Sequence, residues 1–212
     1  MVKVKSKHVG PRVGYFEINN GDSVYRVMDR LNPAMNPKIL AEFYESQKQK
    51  GDFVPTSSPL TFQIMRDAVN SKDSGLLNFL FDSFTNHYIL TTSKGIYLPV
   101  GQFDEVIHNC DTSEASIIKR NLVGKQGFIQ TIDNKKALGS FLGTPNIKHI
   151  NRITQALNET NMYLCRLAKK PVSRAERFVG FSAGSGGLSL GANCSLFLRG
   201  PSFGYELVEK KK

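Results

Sequence analysis

The sequence predicts an α+β fold. Short runs of strand formers gather at both ends of the chain, and helix-period stretches with caps fill the middle, without the alternation of a βαβ protein. No internal repeat or linker interrupts the chain. The reading is therefore one α+β domain over residues 13–209, preceded by a basic flexible arm at residues 1–12.

Taken in order, residues 13–18 (VGYFEI) read as a strand, and Asn19, Asn20, Gly21 and Asp22 as a turn. Asp22 and Ser23 then read as the cap of a short helix over 24–31, stopped by Asn32 and Pro33. A clearer helix covers 36–50, with Pro37 in its first turn, a stripe of Ile39, Leu40, Phe43 and Tyr44, and Gly51 as its stop. Pro55 to Pro59 form a loop before a helix over 60–70. A third helix spans 74–87, where Leu76, Leu77, Leu80, Phe81 and Phe84 make a packing stripe. Strands are expected at 88–90, 96–100 and 127–132, and helices at 135–142 and 144–157. Beyond them, 162–167, 177–181, 187–191, 195–198 and 204–208 read as short strands punctuated by Gly and Pro.

Composition narrows the function classes. With 212 residues, 40 % hydrophobic and 22 % charged, the chain has the make-up of a soluble globular protein. No apolar run approaches the ~18 residues of a membrane span. The polar, basic start does not read as a secretory signal, so a cytoplasmic or virion-associated protein is expected. Cys110, Cys165 and Cys194 form no CxxC, which argues against a disulfide framework or zinc site, and no metal or cofactor is expected. The net charge is +10, unevenly spread: residues 13–118 hold eight Lys/Arg against thirteen Asp/Glu, while 119–177 hold twelve against three.

Motifs for catalysis are weak. Gly180-Phe181-Ser182-Ala183-Gly184 matches GxSxG, but a nucleophile elbow needs a helix after it and an acid and a histidine later in the chain. Here a glycine-rich, strand-like stretch follows, with no later Asp or His. The same context favours a β-turn over a phosphate loop at residues 184–187. His108-Asn109-Cys110-Asp111 brings reactive types together only in sequence. His87, His108 and His149 lie too far apart for a local metal motif, and Asp104 and Glu105 read as a solvated turn. The expectation is a binding protein, not an enzyme.

Two surfaces compete for that binding. One is the basic stretch: Lys119, Arg120, Lys125, Lys135, Lys136, Lys148, Arg152, Arg166, Lys169, Lys170, Arg174 and Arg177, with Phe128, Phe141 and Tyr163 interleaved as stacking aromatics for nucleic acid. The other is the segment 178–205, whose twenty-eight residues contain no Lys, Glu, Gln, Met, Trp or Asp. Its residue types are mostly those reached by scrambling the adenines of AAC- or AAT-type codons. With its close on Phe203-Gly204-Tyr205-Glu206-Leu207-Val208, the segment resembles the variable region of proteins diversified by diversity-generating retroelements, of the archaeal or archaeal-virus kind. That resemblance implies a C-type-lectin-like fold in which the last strand pairs with the opening strand around Gly14-Tyr15-Phe16-Glu17-Ile18. It also implies a receptor-type function, with a hypervariable region displaying side chains to a protein or cell-surface ligand. Two departures stand out: no Gly-Gly-x-Trp element occurs, and the calcium-dependent sugar motifs are missing.

Under that reading Phe181, Ser182, Ser185, Ser189, Asn193, Ser195, Phe197, Arg199 and Ser202 are the displayed, ligand-binding residues. Leu188, Leu190, Leu196 and Leu198 face the core by alternation.

Overall fold

A computed structural model describes residues 2–9, 13–132, 135–184 and 186–210. The protein is mixed α+β. The chain opens with strands β1 (Lys3–Val9), β2 (Val13–Asn19) and β3 (Ser23–Met35), then helix α1 (Pro37–Lys50) and the short β4 (Val54–Pro55). Helices α2 (Ser58–Ser71) and α3 (Ser74–Asn86) follow, then strands β5 (Ile89–Tyr97), β6 (Asp104–Ile107), β7 (Ile118–Arg120) and β8 (Gly127–Phe128). Helices α4 (Lys135–Leu142) and α5 (Ile147–Asn158) precede β9 (Tyr163–Cys165), β10 (Ala175–Gly184), β11 (Gly187–Cys194) and β12 (Gly200–Lys210).

The strands form two sheets. One is antiparallel, in the order β1-β2-β3-β12-β4; the other runs β7-β6-β5-β10-β11-β9-β8, with β9 and β11 parallel. One hydrophobic cluster joins them, drawing Phe16 and Tyr25 from the first sheet, Val179 and Leu190 from the second, and Leu80, Leu138 and Ile153 from the helices. Helix α3 carries much of this link. Its Phe79 packs on Phe16 and Phe203, and its Phe84 on Phe203 and Phe181, with ring centroids 5.5–6.0 Å apart.

The helices start where their caps say. The Asn36 and Asp73 side chains accept from the amides of Ile39 and Leu76, and Gly51 closes α1 in the left-handed conformation (φ 66°). The expected helix at 24–31 is instead the middle of β3. Tyr25 and Val27 are buried while Val24, Arg26 and Met28 are half-buried, which is strand periodicity. Asn20, not Asp22 or Ser23, organises this corner: its Oδ1 accepts from the amides of Asp22 and Ser23 and turns the chain from β2 into β3.

Other expectations also shift. Within the supposed flexible arm, residues 3–9 are a strand paired with β2. The last strand, β12, pairs with β3 and β4, so the stretch 14–18 lies one strand further away than the resemblance implied. Strands expected at 88–90 and 96–100 are one strand, β5. Of 127–132 only Gly127–Phe128 is extended, and residues 195–198 form a turn.

The C-terminal segment owes its composition to packing. Gly180, Gly191 and Gly200 all press on Tyr88, so a Cβ at any of them would overlap its ring, hydroxyl or carbonyl. Gly204 lies as close to Met28, and Gly187 (φ 98°) to Thr160. Phe178, Val179, Phe181, Leu188, Leu190, Ala192, Cys194, Ser202 and Phe203 are buried as well, leaving few places for a long polar side chain.

Gly200→Ala is expected to lower stability in urea titrations by about 1–3 kcal/mol, because the added methyl meets the fixed Tyr88 carbonyl. Ser195→Ala, on the exposed turn, should stay within about 0.5 kcal/mol of the parent.

Candidate functional site

The basic stretch separates into structural and available cations. Arg166 is structural: only 2 % exposed, it donates from Nε to the Lys125 carbonyl and from Nη1 to that of Leu122, both at 3.1 Å. Lys170 is tied to Asp104 at 2.5 Å, and Arg174 to Glu176 at 2.6 Å. Asp104 also accepts from the Leu122 amide, so the backbone of that one residue is held by a buried carboxylate at its N–H and a buried guanidinium at its carbonyl. Arg177 is half-buried and donates to the Glu176 carbonyl. Among the expected aromatics, Phe141 is in the core, a correction; only Phe128 and Tyr163 remain near the surface, edge to face at 5.4 Å.

Lys135, Lys148 and Arg152 behave differently. They line one open groove of about 770 Å³, together with Gln130, Asn146, Asn151, Gln155 and Asn161. Helix α5 builds most of it. Ile150, Ile153, Thr154 and Leu157 bury one face, which turns Lys148, Asn151, Arg152 and Gln155 outward along the i, i+3, i+4, i+7 stripe. Asn146 caps that helix through the His149 amide at 3.0 Å. The amides form a chain of their own: Gln155 donates to Asn161 at 2.8 Å, and Asn161 donates to Gln130. Gln130 and Asn161 each lie two residues from the Phe128–Tyr163 pair on β8 and β9.

A second cleft of about 640 Å³ lies on the other side of the α4–α5 connection, where Gly143 and Thr144 face it and Pro145 and Asn146 face the first groove. Helix α2 supplies Gln63 and Arg66 to this cleft, Arg66 donating through Nε to the buried Asp67 at 3.0 Å, and α5 supplies His149. Burial, then the nearby charges of Arg152 and Arg66, hold His149 below the usual histidine range. Among the described residues, neither cleft is lined by an Asp or Glu. Gln63 and Arg66 come from the acidic half of the sequence, and no linear signal marks them.

Both clefts are set by a buried strap at residues 56–58. The Thr56 amide donates to the Phe203 carbonyl of β12 at 3.1 Å, and its carbonyl accepts from Thr92 of β5 at 2.9 Å, so one residue joins the two sheets. The Ser58 hydroxyl donates to the Phe141 carbonyl of α4 at 2.6 Å, and its amide donates to the Ser93 hydroxyl at 2.9 Å. Ser93 lies 2.7 Å from His108 Nδ1, and His108 Nε2 lies 2.9 Å from the Ser140 carbonyl. A carbonyl only accepts, so Nε2 carries the proton and Nδ1 accepts from Ser93. His108 is thus a structural ligand of the strap. The Cys110 thiol reaches the Thr92 carbonyl at 4.0 Å, and burial pushes it up to about 11, far from thiolate chemistry. Among the described residues no three His, Cys, Asp or Glu side chains converge as a metal site would need, and no helix is long and apolar enough to cross a membrane.

The residues expected to be displayed scatter. Phe181 and Ser202 are fully buried, which corrects their assignment: Phe181 packs on Phe84, and Ser202 accepts from Asn32 at 3.1 Å. Ser182 and Ser189 face each other, half-buried, across the β10–β11 hairpin, and Ser185 lies outside the described residues. Ser182 therefore sits in a strand of a hairpin, not on an elbow into a helix. Asn193 is half-buried. The turn 195–199 does present Ser195, Phe197 (91 % exposed) and Arg199, whose guanidinium reaches the Ala34 carbonyl at 3.4 Å. Leu188 and Leu190 are buried as expected, whereas Leu196 is exposed and Leu198 half-buried.

No family model, curated protein or solved structure matches the chain.

The strap has a pH signature. Burial keeps the His108 imidazole below its usual range, so on acidification the unfolded chain takes up the proton first. That part of the stability is complete above about pH 6.5 and is lost as pH falls below it. The urea midpoint should therefore drop between pH 7 and pH 5.5, and less so in His108→Gln. An equal drop in both proteins contradicts the assignment.

Proposed function

We propose that the protein binds nucleic acid through the groove between α4 and α5, without catalysing a reaction on it. The observation that carries this reading is the convergence of Lys135, Lys148 and Arg152 with five amide side chains in one groove that no described carboxylate lines. Cations in such a groove neutralise backbone phosphates, while Asn and Gln pair with base edges. The Phe128–Tyr163 pair beside it offers a ring for stacking. Burial and pairing reduce the bias of residues 119–177, and Lys135, Lys148 and Arg152 are the cations that share this groove.

Fluorescence anisotropy with a twelve-nucleotide single strand tests this. Affinity should fall steeply between 50 and 200 mM salt, and Lys148→Gln and Arg152→Gln should each flatten the log–log slope by about 0.7. Binding that ignores salt, or variants with the parent's slope, overturns it.

A second reading is favoured by one observation, the exposed turn with Phe197 and Arg199. In it the chain is a C-type-lectin-like variable protein that meets a protein or cell-surface ligand through Asn193, Ser195, Phe197 and Arg199. Strands at both ends with helices between them, and a last strand inside the N-terminal sheet, support that scaffold. It predicts a near-copy of the 178–205 coding sequence beside a reverse transcriptase, differing at adenines. A genomic neighbourhood without that copy removes the reading.

A further inference from the structure

We infer that the groove between α4 and α5 is one half of a longer track, that the cleft of Gln63, Arg66, Thr144 and His149 is its continuation, and that the ligand is an extended single strand, an inference that rests on the nucleic-acid reading above.

Three features join the halves. The α4–α5 connection is a shared wall, with Pro145 and Asn146 toward one cleft and Gly143 and Thr144 toward the other. Helix α5 serves both, sending Lys148 and Arg152 one way and His149 the other. Arg152 also donates to Asn70 of α2 at 3.4 Å, and Asn70 lies one helical turn beyond Arg66 and two beyond Gln63. Cations and amides therefore follow α5 and then α2 around a bend. From Gln63 to Asn70 alone the helix rises about 10 Å, so the track exceeds a single phosphate site.

The bend selects the ligand. Duplex DNA is stiff over about 50 nm and cannot fold across the wall between two clefts, whereas a single strand turns at each nucleotide. Amide side chains in both clefts suit exposed base edges, which duplexes hide. His149 adds a condition. It faces Arg152 on its own helix, Arg66 on α2 and Tyr205 of β12 across the cleft. Those cations disfavour its protonation, and a phosphate placed among them favours it.

The test uses the full chain and single strands of about four and about twelve nucleotides, as both ribo- and deoxyribo-oligomers. The parent should bind the twelve-mer at least about tenfold more tightly than the four-mer, more than phosphate count in one groove provides. Gln63→Glu, on the outer face of α2, should remove most of that advantage and leave four-mer affinity within about twofold; Arg66→Gln should repeat the result. Lowering pH from 7 to 5.5 should tighten the twelve-mer complex in the parent and have a smaller effect in His149→Gln. Equal affinity for both lengths, or a Gln63→Glu protein that matches the parent on the twelve-mer, overturns the track while leaving the groove intact. No binding of either length overturns the groove as well. If only one sugar type binds, the track stands and the class narrows to RNA or DNA.

Discussion

Three residues with scarcely any exposed surface, Thr56, Ser57 and Ser58, hold the two sheets and the helices in register. Their amides, carbonyls and hydroxyls reach β12, β5, α4 and, through Ser93, His108. Buried groups of this kind are costly to leave unpaired, and the pairing is geometric, so the strap fixes where α2 begins and where α4 ends. The face of α2 with Gln63 and Arg66, and the connection that leaves α4 toward α5, are both measured from that point. A change in the strap would move the two clefts together.

What the sequence made legible follows from locality. Helices α1 and α3 announce themselves through Pro37, Gly51 and their apolar stripes, all read within a few residues, while α2 and α5 start at Ser58 and Ile147 where 60 and 144 were expected. Strand β3 does not, because its conformation depends on partners: β2 on one side and β12, some 170 positions later, on the other. Asp22 and Ser23 looked like a cap because a cap and a hairpin corner use the same small polar residues. The candidate groove was half legible. Lys148, Asn151, Arg152 and Gln155 lie on one helical stripe, but Gln130, Asn161, Gln63 and Arg66 join it only by tertiary placement.

Charge and composition were informative in opposite ways. The excess of cations in 119–177 was real but overcounted, since Arg166, Lys170 and Arg174 serve carbonyls and carboxylates of the fold. The avoidance of long polar residues in 178–205 was also real, and close packing accounts for it. Tyr88 occupies space that three glycines leave open, and the strands on either side turn their alternate residues into the core. A composition that reads as freedom to vary thus belongs largely to buried, closely packed strands, and within it the turn at 195–199 is the stretch with Ser195, Leu196, Phe197 and Arg199 exposed.

Strand β1 borders the first sheet on one side, and among the described residues no strand lies beyond it. Lys3, Lys5 and Lys7 are exposed along that strand, and Lys7 pairs with Glu17 at 2.9 Å. Two copies meeting border to border would bring these ammonium groups together before any ladder of hydrogen bonds formed. Lysines spaced along such an edge oppose the addition of one copy to another, as charged side chains do on exposed sheet borders in general.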